Sequence, residues 1–269
     1  MTHIAHHPEL AHLTGAVTRL AAALARPRSL AVVCIVALTA SGWLALALIA
    51  ADSGPVWQAL CRPDATRGWA GALLALPMWA AMLLAMMLPT AGPMILTYAE
   101  IADTAARKGE PVASPLLLMS GYLAVWLGFA LAAAMLQQGL GRAGLFDGGA
   151  SGTLFAGAIF AGAGLYQFSA LKRACLTLCQ RPFPFFFSNW TAERVGVLQL
   201  GLRQGLHCVG CCWALMLVMF AVGVMNVVWM AALGIVMTIE KMTSTPRFSE
   251  AVGAAFVVAG AGMVVASVW

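Results

Sequence analysis

The chain has 269 residues, of which 62% are hydrophobic and only 9% charged, with a formal net charge of +5. A composition this apolar excludes a soluble globular domain of the same size. The basic surplus reads as anchoring at a membrane face rather than as a nucleic-acid footprint.

In chain order, residues 1–29 form a polar, histidine-containing tail (His3, His6, His7, His12). It is read as a flexible segment, with metal collection as the alternative. The first apolar run starts near Ser29, too far along and too long for the h-region of a signal peptide, so it is expected to be a retained span. Long uncharged runs follow at about 30–51, 71–97, 115–137, 153–171, 205–222, 224–240 and 250–268, each close to the ~20 residues a bilayer requires. They predict an all-α, polytopic transmembrane helix bundle of about seven spans, forming a single domain over 30–269. The fifth and sixth runs share the stretch from Gly205 to Glu240, with Gly223-Val224-Met225-Asn226 suited to a tight reversal. With the N-terminus inside, twelve of the fifteen Lys and Arg residues fall on inner segments. That bias predicts a cytoplasmic N-terminus.

The second run contains Met78, Met82 and Met86 at intervals of four, a stripe that drifts only about 80° over two helical turns. Thioethers in such a ladder suit weak transfer of Cu(I), although methionine also fills apolar cores. Pro89 and Pro93 in the same run are expected to break the helix and line a cavity. Ala81, Ala85, Gly92 and the small residues from Ala156 to Gly164 suggest close helix packing.

The inner segment 172–204 reads as a loop carrying a cysteine pair and an aromatic stretch. Cys175 and Cys179 become i,i+4 neighbours if the fourth helix continues past Lys172 and stops at Pro182. Lys172 beside them would favour a thiolate, or would simply snorkel to the interface. Phe183-Pro184-Phe185-Phe186-Phe187-Ser188-Asn189-Trp190 is read as an interfacial belt or lid. Glu100 and Glu240 read as solvated helix-end charges, with a proton or metal role as the alternative.

The densest signal opens the fifth run. Gly205-Leu206-His207-Cys208-Val209-Gly210-Cys211-Cys212-Trp213 holds three of the seven cysteines and one of the five histidines. At 100° per residue, Cys208 and Cys212 lie about 40° apart, as do His207 and Cys211, and all four fit an arc of roughly 140°. Such residues inside a membrane are rare and usually functional. Both cysteine groups fall on the cytoplasmic side, a reducing compartment that favours metal ligation or thiol chemistry over structural disulfides. Soft thiolates, thioethers and an imidazole select Cu(I) first and zinc second. Cys34 and Cys61, isolated elsewhere, read as packing.

The Met-rich span, the run from Tyr166-Gln167 through Leu171-Lys172 to Cys175-Leu176-x-x-Cys179 and Arg181-Pro182, and Gly210-Cys211-Cys212-Trp213-x-x-Met216 resemble the bacterial predicted metal-binding integral membrane protein family, a domain of unknown function. The resemblance covers roughly residues 70 to 240. It implies a multi-pass protein of the bacterial inner membrane with metal bound by the cysteines, and it supplies no substrate or reaction.

The residues together predict a membrane protein that handles Cu(I) for transport, delivery or homeostasis. Met78, Met82 and Met86 would act within the membrane, with Cys175, Cys179, Cys208, Cys211 and Cys212 at the cytoplasmic side and His207 as a further ligand. Its partners would be the bilayer, the metal ion and a membrane or metallochaperone protein, with no nucleic acid. There is no P-loop, so transport would be passive, proton-coupled or partner-driven, and the reading leans away from an enzyme. The alternatives are a thiol–disulfide or quinone-linked oxidoreductase, a haem site on His207, and a cysteine-packed assembly subunit.

Overall fold

A computed structural model describes residues 26–51, 68–146, 149–224 and 226–267. Nearly all of the histidine tail, Cys61 and Met225 lie outside them. Among the described residues all regular structure is helical. The elements are α1 (Pro27–Ala51), α2 (Gly68–Arg107), α3 (Pro115–Arg142), α4 (Gly149–Gln167), α5 (Ala170–Gln180), α6 (Pro182–Ser188), α7 (Arg194–Val222), α8 (Val227–Met242) and α9 (Arg247–Ala266).

Six of these, α1, α2, α3, α4, α7 and α9, are long and apolar enough to cross a membrane. The remaining expected span, the sixth in chain order, is α8. It has 16 residues, a rise of about 24 Å, shorter than a hydrocarbon core of about 30 Å.

Three local expectations are corrected. The proline-rich second span is not broken: α2 runs uninterrupted through Pro77, Pro89 and Pro93. Flanking helices that pack against such a segment can make good the backbone bonds that proline removes. The fourth helix does not continue into the cysteine pair. It stops at Gln167, and Ser169 starts α5 by accepting from the Lys172 amide at 3.1 Å, an N-cap bond that favours a new helix start. The inner segment 172–204 is therefore mostly helical rather than a loop: it holds α5, α6 and the first turns of α7. The polar residues Arg203, Gln204 and His207 masked that extension of α7 from hydropathy alone.

Two ends of the bundle are identifiable from contacts. At one, Tyr98 Oη near the end of α2 donates to Ala113 O at 3.0 Å. Its ring lies 5.6 Å from Phe186 and 5.7 Å from Trp190. The expected aromatic belt is thus partly an anchor: Phe186 is fully buried, while Phe183 and Phe187 are exposed. Gln180 on α5 ties the same end to α8, donating to Glu240 O and Thr243 O at 2.8 and 2.7 Å. At the other end, Phe220 of α7 lies 5.2 Å from Trp79 of α2 and 6.3 Å from Phe146.

Small residues set how closely the helices approach. A Cβ at Gly157 of α4 would stand 2.9 Å from Gly260 O of α9, and one at Gly164 would stand 2.7 Å from Gly253 O. The expected packing role of Ala156 to Gly164 is realised there. Gly92 has nothing near it and plays no such part. On α7, Gly201 sits against the Leu118 carbonyl, and a Cβ at Gly205 would lie 3.2 Å from Tyr122 O. This close α3–α7 contact brings Tyr122 alongside the first cysteine of α7.

Candidate metal centre

Cys208, Cys211 and Cys212 are buried on α7, and their three sulfurs lie within 4.8 Å of one another, close enough for one metal ion. Cys211 Sγ is 3.2 Å from Cys212 Sγ. From α5, Cys179 Sγ approaches Cys211 Sγ at 3.9 Å. A thiophilic ion with sulfur bonds of about 2.3 Å holds two sulfurs about 4.6 Å apart when linear and about 4 Å apart when trigonal. The Cys179–Cys211 separation of 3.9 Å is close to the trigonal value, whereas Cys211 and Cys212 at 3.2 Å would have to move apart to share an ion. The donors are the soft kind that select Cu(I) or zinc.

The two cysteine groups do meet, although by a different route from a continuous fourth helix. Cys175, one turn before Cys179, packs directly on Gly210: a Cβ there would stand 2.6 Å from its sulfur. Tyr166 donates to the carbonyl of the same glycine, and its ring lies 5.0 Å from Trp213. Gly210 is thus the point at which α4 and α5 dock on α7. Burial pushes the Cys175 thiol up from its ordinary value.

Lys172 does not favour a thiolate at this pair, nor does it snorkel. It is buried and donates to both carboxylate oxygens of Glu240, at 3.0 and 2.8 Å, with both side chains 1% exposed. Glu240 is accordingly not a solvated helix-end charge, because a buried ion needs a partner. Glu100 is exposed, as expected, and faces Arg28 at 3.3 Å.

Cys208 differs from its neighbours in having polar company. Lys241 Nζ, from the last turn of α8, donates to Cys208 Sγ at 3.0 Å and to Thr90 Oγ1 at 2.6 Å. Thr90 Oγ1 donates to Met87 O at 2.8 Å, and Tyr122 Oη donates to the same carbonyl at 3.1 Å. Tyr122 Oη closes the ring at 3.1 Å from Cys208 Sγ. Four helices, α2, α3, α7 and α8, therefore converge on this one sulfur.

The sequence reading missed this ring. Lys241 is one of the twelve basic residues on inner segments, and a lysine beside a glutamate at the end of an apolar helix is a usable signal. Tyr122, Thr90 and Met87 are ordinary residues of apolar runs and give none.

His207 does not join the three sulfurs in their close group. His207 is half-buried, with its ring edge-on to Phe185 at 6.2 Å. Met78, Met82 and Met86 are buried in the core. Met86 also borders a cavity of about 350 Å³ with Trp43, Pro89 and Gly234.

A family described as PpoB2: Copper chaperone matches residues 76–263, a range that includes every described cysteine except Cys34. No curated protein and no solved structure matches the chain.

Proposed function

The chain belongs to the PpoB2 copper-chaperone family, and from that premise we propose that it is a multi-pass membrane protein that holds Cu(I) on a thiolate cluster and passes it on. The carrying observation is the convergence of Cys208, Cys211 and Cys212 within 4.8 Å, buried inside an apolar bundle. Cys179, on a separate short helix, is the fourth sulfur and the natural point of exchange. Cys175 supports the docking of that helix, and His207 stands by as an outer donor.

Methionines extend the sulfur surface. On α7, Met216 and Met219 continue the face of Cys208 and Cys212 at i+4 and i+7 from Cys212. They are buried together with Met78, Met82, Met86 and Met87 of α2 and Met230 and Met237 of α8. Thioethers bind Cu(I) weakly and zinc poorly, so these helices offer a low-affinity route leading away from the thiols.

The basic-residue bias supports placing the cluster at the cytoplasmic leaflet of a bacterial inner membrane. Lys172 and Lys241 are engaged with partners inside the protein, so the orientation rests on the other inner basic residues.

The test is copper loading of the purified protein in detergent, with elemental analysis and X-ray absorption. Wild type should bind Cu(I) through sulfur, and the double variant Cys211→Ser/Cys212→Ser should lose it. Equal copper content in the two proteins would refute the reading.

A further inference from the structure

Lys241 has no carboxylate partner among the described residues. Its neighbour Glu240 is taken by Lys172, at 2.8 Å. The atom near the Lys241 ammonium best able to carry negative charge is Cys208 Sγ, 3.0 Å away. Thr90 also accepts from the ammonium at 2.6 Å, and Tyr122 Oη lies 3.1 Å from the same sulfur. The cation is thus fixed against one of the three converging thiols rather than free to swing away.

An ion bonded to Cys208 would lie within one metal–sulfur bond, about 2.3 Å, of an atom that touches this ammonium. Repulsion between two cations scales with the product of their charges. A divalent ion therefore meets twice the penalty that a monovalent ion meets at the same place. Sulfur softness alone does not make this distinction, because thiolates bind Zn(II) and Cd(II) as well as Cu(I) and Ag(I).

We propose that Lys241 is a specificity-determining residue, a fixed positive charge that biases the cysteine cluster toward singly charged soft ions. This rests on the reading of the cluster as the metal site. At an effective dielectric of about 20 and a separation of about 5 Å, one extra unit of charge alters relative affinity on the order of a hundredfold.

The experiment is a competition titration of the full-length protein in detergent with Cu(I), Ag(I), Zn(II) and Cd(II). It compares wild type with Lys241→Met and Lys241→Arg. Lys241→Met should raise Zn(II) and Cd(II) affinity relative to Cu(I) on the order of a hundredfold, leaving the Cu(I):Ag(I) ratio unchanged. Lys241→Arg, which keeps the charge, should retain the wild-type ratios. If Lys241→Met does not fold, Lys241→Gln gives the same reading with a polar side chain in place. Retained binding with an unchanged divalent-to-monovalent ratio overturns the role of Lys241 alone. Metal binding in wild type that is indifferent to Cys211→Ser/Cys212→Ser overturns the site reading and this inference with it.

Discussion

Lys172 on α5 and Lys241 on α8 lie at the same end of the bundle, and consecutive residues of α8 divide their roles. Glu240 takes Lys172 in a closed pair, both side chains 1% exposed. Lys241 itself reaches the other way, to Cys208 and Thr90. The first cation is fully compensated by a carboxylate and joins two helices. The second rests on a thiol and a hydroxyl, groups that a carboxylate would outcompete for it. Charge that has been matched is structural, whereas charge parked on a sulfur is available to act on whatever binds that sulfur.

The comparison is broken most directly at Glu240. Glu240→Ala leaves the Lys172 ammonium buried and alone, which costs about 3–5 kcal/mol. It also removes the side-chain link between α8 and the cysteine-bearing α5, leaving only the bonds of Gln180 to the Glu240 and Thr243 carbonyls. Thermal unfolding in detergent should show a loss far larger than that of Lys241→Met. The apolar double variant Lys172→Met/Glu240→Leu should recover most of it, since a buried pair replaced as a unit is often neutral. Equal losses for Glu240→Ala and Lys241→Met would erase the distinction between the two lysines.

A smaller effect is expected where α5 docks on α7. Gly210→Ala would place a Cβ 2.6 Å from Cys175 Sγ, and overpacking of this kind costs about 1–3 kcal/mol. Because the sulfur is the obstacle, adding Cys175→Ala should restore much of the stability. The informative readout is metal binding: a displaced α5 carries Cys179 away from Cys211, now at 3.9 Å, while leaving the three α7 sulfurs in place. Unchanged copper exchange in a destabilised Gly210→Ala protein would remove Cys179 from the route.

How much of this was legible in the sequence follows from the range of each interaction. The α7 cluster could be read because Cys208, Cys211 and Cys212 are set on one face by helix geometry alone. The apolar character of six helices long enough to cross a membrane was equally plain in composition. The approach of Cys179 could be inferred from two helix ends sharing one membrane face, although the break at Ser169 was missed. There the hydropathy pattern continues, and a single side-chain cap decides the outcome. The ring around Cys208 could not be read. Lys241, Tyr122 and Thr90 are 33, 86 and 118 positions from that cysteine, and helix packing alone unites them. Met87 lies off the stripe of Met78, Met82 and Met86 and takes part through its backbone carbonyl, which accepts from both Tyr122 and Thr90.

Tyr122 offers the finest separation of the two kinds of contact at Cys208, one charged and one neutral. Tyr122→Phe removes the hydroxyl that lies 3.1 Å from the sulfur and 3.1 Å from Met87 O. Thr90 still donates to that carbonyl, so no buried acceptor is left bare. The stability cost should therefore stay near the net value of one hydrogen bond, about 1 kcal/mol. A neutral hydroxyl acts on a bound ion only as a dipole, a force that also grows with the ion's charge but is weaker and falls off faster with distance than that of a full charge. Tyr122→Phe should accordingly change the divalent-to-monovalent ratio among Cu(I), Ag(I), Zn(II) and Cd(II), measured in the same competition titration, far less than Lys241→Met does. A change in the divalent-to-monovalent ratio as large as that of Lys241→Met would mean that the ring acts as one unit, and that selectivity does not belong to the ammonium alone.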